Sequence, residues 1–158
     1  MRRFKLVAVG GTFDVIHKGH RRLLEKAFEI GERVVIGLTT DTFVDEMEKP
    51  HRVRPYSERL RMLEKFLEEM GVSCRARVEP LNDPYGPAST DPDIEAIVVS
   101  DETYPRAIEI NRIREIRGLK PLKVVRIPMV MAENGKPIST TRIRLGEIDE
   151  NGRCLKNR

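Results

Sequence analysis

Short β-branched runs alternate with amphipathic helical stretches along most of the chain, and that alternation restricts the fold more than any other feature. Phe4 to Val9 reads FKLVAV and ends at Gly10-Gly11, the pattern of a buried strand that stops in a glycine turn. From Gly19 to Ile30, Leu23, Leu24, Ala27 and Phe28 share one helical face, Arg21, Arg22, Glu25, Lys26 and Glu29 the other, and Gly31 marks the stop. Val34 to Leu38 is a second strand. The charged stretch Asp41 to Arg54 reads as a short helix leading into a loop. Pro55 then opens a longer helix, in which Tyr56, Leu60, Leu63, Phe66, Leu67 and Met70 recur at helical spacing as far as Gly71.

The second half repeats the pattern. Ser73 to Leu81 is a third strand, Asn82 to Pro92 a long loop dense in turn formers, and Ala96 to Ser100 a fully apolar fourth strand. Tyr104 to Arg117 is helical, with Ala107, Ile110, Ile113 and Ile116 expected inward and Gly118 closing it, and Lys123 to Ile127 is the fifth strand. Parallel neighbours need crossover helices, so this order implies an α/β fold: a Rossmann-like, doubly wound, mainly parallel five-stranded sheet with helices on both faces. The 158 residues suit one core, and the expectation is a single domain over residues 1–158. In such sheets the ligand crevice lies beyond the carboxyl ends of the strands.

Composition narrows the partners. Hydrophobic residues make up 39% and charged ones 34%, with no Trp, which describes a globular domain with a mixed-sign surface of the kind common in heat-adapted proteins. Lys and Arg number 29 against 25 Asp and Glu, and the net charge of +4 favours anionic ligands in general. Cys74, expected as a small buried residue in the third strand, and Cys154 form no disulfide framework and no CxxC pair, so structural zinc at His17, His20 and the cysteines is disfavoured and a reducing cytoplasm fits. The opening Met1 to Phe4 is basic but leads into only about six apolar-rich residues, too few for a secretory core or a bilayer span. Arg106, Arg112, Arg114 and Arg117 read as a solvated amphipathic face, and with aromatics at 5% there is little to stack on bases. Neither nucleic acid nor membrane is an expected partner; a monomer and a small homo-oligomer remain open.

The chemistry concentrates in Gly10 to His20, GGTFDVIHKGH, at the end of the first strand and the start of the first helix. Two glycines permit close backbone approach, a helix start offers N–H groups and a positive dipole end, and histidines three apart can face one ligand. The combination is a phosphate site furnished with imidazoles. A second segment, Ile138 to Arg144, reads ISTTRIR after a Gly135-Lys136-Pro137 turn and supplies hydroxyls at another helix start.

Thr12-Phe13-Asp14 with His17-Lys18-Gly19-His20 resembles the HxGH signature of the nucleotidylyltransferases, and ISTTRIR resembles the superfamily's segment for ATP phosphates. Asn82 to Pro92, Val98 to Arg114 and Pro55-Tyr56-Ser57-Glu58-Arg59 are similar to the archaeal phosphopantetheine adenylyltransferases and the matching domain of eukaryotic bifunctional coenzyme A synthase. The resemblance implies direct transfer of AMP from ATP, accompanied by Mg²⁺, onto 4′-phosphopantetheine, with coenzyme A able to occupy the same site. It implies a nucleotide site of Gly10, Gly11, Thr12, Phe13, His17, Gly19, His20, Ser100, Ile138, Ser139, Thr140, Thr141 and Arg144. The acceptor falls to Thr12, Asp14, Lys49 and Arg106, and the chemistry to His17, His20, Lys49 and Arg144. Arg142 leaves the helix on another side from Arg144. The bacterial enzymes of this activity usually carry Thr where this chain has His17, which makes the motif similar to cytidylyltransferases as well. Glycerol-phosphate cytidylyltransferase-like and nicotinamide mononucleotide adenylyltransferase-like activities are the alternatives, and a nucleotide- or nucleic-acid-binding protein without turnover is a further one.

Overall fold

The computed structural model describes residues 3–47 and 52–128. Within them the chain runs β1 (Phe4–Gly11), α1 (Lys18–Ile30), β2 (Gly31–Thr39), α2 (Asp41–Glu46), α3 (Tyr56–Glu69), β3 (Ala76–Leu81), β4 (Ala96–Ser100), α4 (Tyr104–Ile116) and β5 (Lys123–Ile127). The strands form one sheet in the order β3-β2-β1-β4-β5 with every neighbouring pair parallel. The expected doubly wound sheet is therefore present. Sequence order reverses between β1 and β4, and there the pairing is shortest: Val7 with Ala96 and Ala8 with Ile97. By contrast β1 and β2 stay in register from Phe4–Gly31 to Gly11–Leu38. Past Ala8 and Ile97 the two central strands part, and a crevice opens at the switch point.

Alternation along β1 feeds both layers. Val7 and Val9 pack with Leu24, Ala27 and Phe28 of α1 and with Leu63 and Leu67 of α3. Ala8 turns the opposite way, into a second cluster with Ala88, Ala107 and Ile110. At the end of β3 the side chain of Leu81 lies across the neighbouring strand: a Cβ added at Gly37 would come within 2.7 Å of it. That contact lays Leu81 over the carboxyl ends of the strands as the start of the crevice floor.

Several expectations fail, each for a geometric reason. Ser73–Arg75 is a 3₁₀ turn rather than strand, so β3 begins at Ala76 and Cys74 is exposed and free instead of buried. In α4, Ala107 and Ile110 are buried and Ile113 half-buried, but Ile116 is 85% exposed. A repeat of three residues falls behind the helical turn by roughly 60° per step, so position 116 lies roughly 180° around from position 107. Position 114 is nearly back in line, and Arg114, expected on a solvated face, is 1% exposed.

Candidate active site

α1 begins on its own histidines. His17 is the N-cap residue; its Nδ1 accepts from the Gly19 amide at 3.0 Å, and Nδ1 of His20 accepts from the His17 amide at 3.3 Å. This is a capping box built from imidazoles, each satisfying a helix-start donor. The two rings stack with centroids 3.9 Å apart, and the Phe13 ring lies 4.8 Å from that of His20. Gly19 is required for the arrangement, because a Cβ there would stand 2.8 Å from Cε1 of His17. Phe13, buried, adopts φ 49°, a left-handed conformation rare for an aromatic residue, and closes the turn between β1 and α1.

Capping also sets the protons. A ring nitrogen that accepts an N–H bond carries no hydrogen, so each neutral imidazole keeps its proton on Nε2. Burial lowers the His17 pKa from 6.5 to about 4, which keeps this ring neutral at physiological pH. Together with an α1 first turn free of acidic residues, the result is a pair of N–H donors at a positive helix end.

Beneath the turn lies a cation absent from the sequence-derived set. Arg59, 0% exposed, donates from Nη1 to Thr12 O at 3.0 Å and Thr39 O at 2.8 Å, and from Nε to Arg54 O at 2.7 Å. Its Nη2 pairs with the Asp41 carboxylate at 3.1 Å. One guanidinium thus ties the ends of β1 and β2 to the segment entering α3. Asp14 completes the tie, accepting the Arg54 amide at 3.0 Å. The available signal was positional: Arg59 sits on the buried stripe of α3 with Leu63 and Leu67.

The turn and the imidazole pair border one cleft of about 640 Å³ at the carboxyl ends of β1 and β4, and Arg59 supports its wall from behind Thr12 and Thr39. Of the expected site residues, Gly10, Gly11, Thr12, Phe13, Asp14, His17, Gly19 and His20 line it from β1 and α1. Ser100 and Arg106 line it from β4 and α4. The Thr12 hydroxyl accepts from Thr39 Oγ1 at 3.1 Å, and the Ser100 amide donates to Thr103 Oγ1 at 3.1 Å. Leu81, Tyr85, Pro87 and Ala88 also border the cleft and were not among the expected residues, although the loop that carries most of them was singled out. Lys49, Ile138, Ser139, Thr140, Thr141 and Arg144 lie outside the described residues, as do Arg142 and Cys154. Among the described residues no group of three His, Cys, Asp or Glu side chains is placed to hold a metal ion, and no helix is long and apolar enough to cross a membrane.

The cytidylyltransferase-like family model matches residues 8–146, from the middle of β1 to beyond β5. The chain belongs to that family. Similar proteins cover nearly all of it: the phosphopantetheine adenylyltransferase of Methanopyrus kandleri is 52% identical over 152 residues, covering 96% of this chain and 95% of the relative. That of Pyrococcus horikoshii is 46% identical over 158 residues, covering 100% and 99%. Among solved structures, a protein of unknown function from Archaeoglobus fulgidus superposes with a TM-score of 0.68 at 31% identity, over 80% of this chain and 89% of that one. A lipopolysaccharide core biosynthesis protein from Thermoplasma volcanium, at 22% identity and a TM-score of 0.61, covers 78% of this chain and 95% of that one and shares the fold of this cytidylyltransferase-like domain.

Proposed function

We propose that this chain is a cytoplasmic phosphopantetheine adenylyltransferase, transferring AMP from ATP to 4′-phosphopantetheine with release of dephospho-coenzyme A and pyrophosphate. The observation that carries the transferase chemistry is the stacked His17–His20 pair, which caps α1 inside a cleft opened by the parting of β1 and β4. The acceptor is supported by relatives of that name at about half identity along nearly all of the chain.

The acceptor's terminal phosphate oxygen attacks the α-phosphorus of ATP, the bond from that phosphorus to the bridging oxygen breaks, and pyrophosphate departs in line. The attacking phosphate is already anionic, so no enzyme nucleophile is required; the barrier lies in charge repulsion and positioning. His17 and His20 offer Nε2–H donors to the triphosphate, with His20 at the α-phosphate, and both keep that donor because each Nδ1 accepts a backbone amide. Thr12 and Asp14 border the acceptor's phosphate, Ser100 the nucleotide, and Arg106 the acceptor. Lys49, Arg144 and the hydroxyls of Ser139, Thr140 and Thr141 complete the charge around the leaving group. Mg²⁺ arrives with ATP and, when bound, offsets charge on the departing pyrophosphate. The described residues suit a metal carried by the substrate, since no group of three His, Cys, Asp or Glu among them is placed to hold an ion. Coenzyme A, which contains both halves of the product, is a further ligand of the same cleft under this reading.

Mass spectrometry after incubation with ATP, Mg²⁺ and 4′-phosphopantetheine tests the proposal. Dephospho-coenzyme A is the expected product, whereas turnover only with CTP and glycerol phosphate, or with nicotinamide mononucleotide, would refute the acceptor. His20→Ala lowers turnover by on the order of a hundredfold or more, the effect of losing a transition-state donor, while circular dichroism stays that of the parent. Near-normal turnover in that variant removes His20 from the mechanism.

A further inference from the structure

The transfer chemistry makes no use of Arg114, yet it is one of two arginines buried among the described residues. The guanidinium is 1% exposed, and its hydrogen-bond partners among the described residues are all backbone carbonyls. Nη1 donates to Ala88 O and Asp91 O, each at 2.9 Å, Nη2 to Ile94 O at 3.4 Å, and Nε to Lys120 O at 2.7 Å. Burial lowers its pKa, partly offset by the Asp91 carboxylate. A cation withdrawn from water is retained only where its geometry is well matched, and the planar five-donor fork of arginine is the side chain that can gather several carbonyls at once.

Two of the four carbonyls it gathers, those of Ala88 and Asp91, belong to the segment Asn82–Pro92, which contains a 3₁₀ turn at Gly86–Ser89. Tyr85, Pro87 and Ala88 of that segment line the cleft together with Ala107, Glu109 and Ile110 of α4. Arg114 follows Ile110 by one turn on the buried side of α4, so its bonds to Ala88 and Asp91 fix the spacing of segment and helix from the inner end. At the exposed end Tyr85 Oη donates to Glu109 Oε2 at 2.8 Å. Between these two ties the walls are mostly ring and methyl groups, and they stand on the α4 face of the sheet. The imidazole pair stands on α1, which packs on the opposite face.

We propose that Arg114 is the positioning residue for acceptor selectivity: by pinning Asn82–Pro92 against α4 it holds open, at fixed width, the slot that receives the acceptor's uncharged arm. ATP keeps its proposed contacts at Gly10–His20 and at Ser100 of β4. This inference rests on the acceptor reading given under Proposed function.

Steady-state pyrophosphate release by the full chain, with ATP and 4′-phosphopantetheine varied separately, tests it in Arg114→Lys and Tyr85→Phe. Arg114→Lys keeps the charge but not the fork, and it raises the acceptor KM at least about tenfold while the ATP KM stays within about twofold. Tyr85→Phe, a change at the exposed rim, raises the acceptor KM severalfold with the same selectivity. An unchanged acceptor KM, or a parallel rise of both KM values, overturns the proposal. Where Arg114→Lys does not fold, Tyr85→Phe decides by the same criterion. A parent protein inert toward 4′-phosphopantetheine refutes the acceptor reading instead, and the KM split is then read with whichever acceptor the parent uses.

Discussion

At the scale of single residues, the cleft depends on side chains doing two jobs. His17 is both the N-cap of α1 and a proposed phosphate donor, and the first job fixes the tautomer that the second requires. Its depressed pKa makes a stability prediction. In the unfolded chain His17 takes its proton near pH 6.5, whereas the folded protein resists protonation until about pH 4. The unfolded state therefore binds more protons in that window, and native stability falls as pH drops through it and is flat above it. The limit of the effect is about 3 kcal/mol. Asn is as good an N-cap and does not titrate, so His17→Asn loses this component. Urea unfolding of both proteins at pH 7 and near pH 4 measures it: the parent loses more stability between the two than the variant does. Equal losses would mean that His17 is not held neutral by the fold.

Elements show how far hydropathy reaches. The alternation of apolar runs located every strand of the sheet, and the break at Gly10-Gly11 placed the imidazole motif where β1 gives way to α1, because backbone geometry and solvent exclusion are both written in local spacing. Two arginines escaped the same logic. Arg59 and Arg114 point inward onto carbonyls at Thr12, Thr39, Ala88 and Asp91, which come from segments remote in sequence. A hydropathy pattern registers an arginine as surface and cannot register a distant carbonyl that receives it. Ile116 misled in the opposite sense: it continues a three-residue repeat that drifts off the buried stripe. The consequence for α3 can be measured. Arg59→Met fits the volume but strands the buried acceptors at the ends of β1 and β2, while the exposed Asp41 carboxylate keeps water and the Tyr56 amide, so it should destabilise by about 1–3 kcal/mol for each acceptor left unpaired. Guanidinium-induced unfolding reads the loss; a change below about 1 kcal/mol would show that water replaces the guanidinium without penalty.

For the whole molecule, the seam that most needs support is the one the ligand would bridge. β1 and β4 are joined by the pairs Val7–Ala96 and Ala8–Ile97, while the other interfaces in the sheet run on to the strand ends. The imidazoles approach the crevice from α1 on one side and Ser100 from β4 on the other, so a nucleotide spanning it contacts both halves. Such a ligand binds the folded state alone, and its binding energy is added to global stability: at about 100 times Kd the gain is about 2.7 kcal/mol. For a chain of this size that raises the thermal midpoint by about 5–10 °C. Calorimetry with increasing Mg²⁺-ATP should show this rise, and His20→Ala should shrink it when each protein is read against its own ligand-free midpoint, that of the variant being lowered by loss of the cap. The strand order makes the expectation specific, because a ligand confined to one half would brace no seam and its effect would be confined to local exchange protection. Amide exchange in β4 slowing together with that in β1 on addition of ATP is the signature of a shared site; slowing in β1 and α1 alone would assign the nucleotide to one half of the crevice.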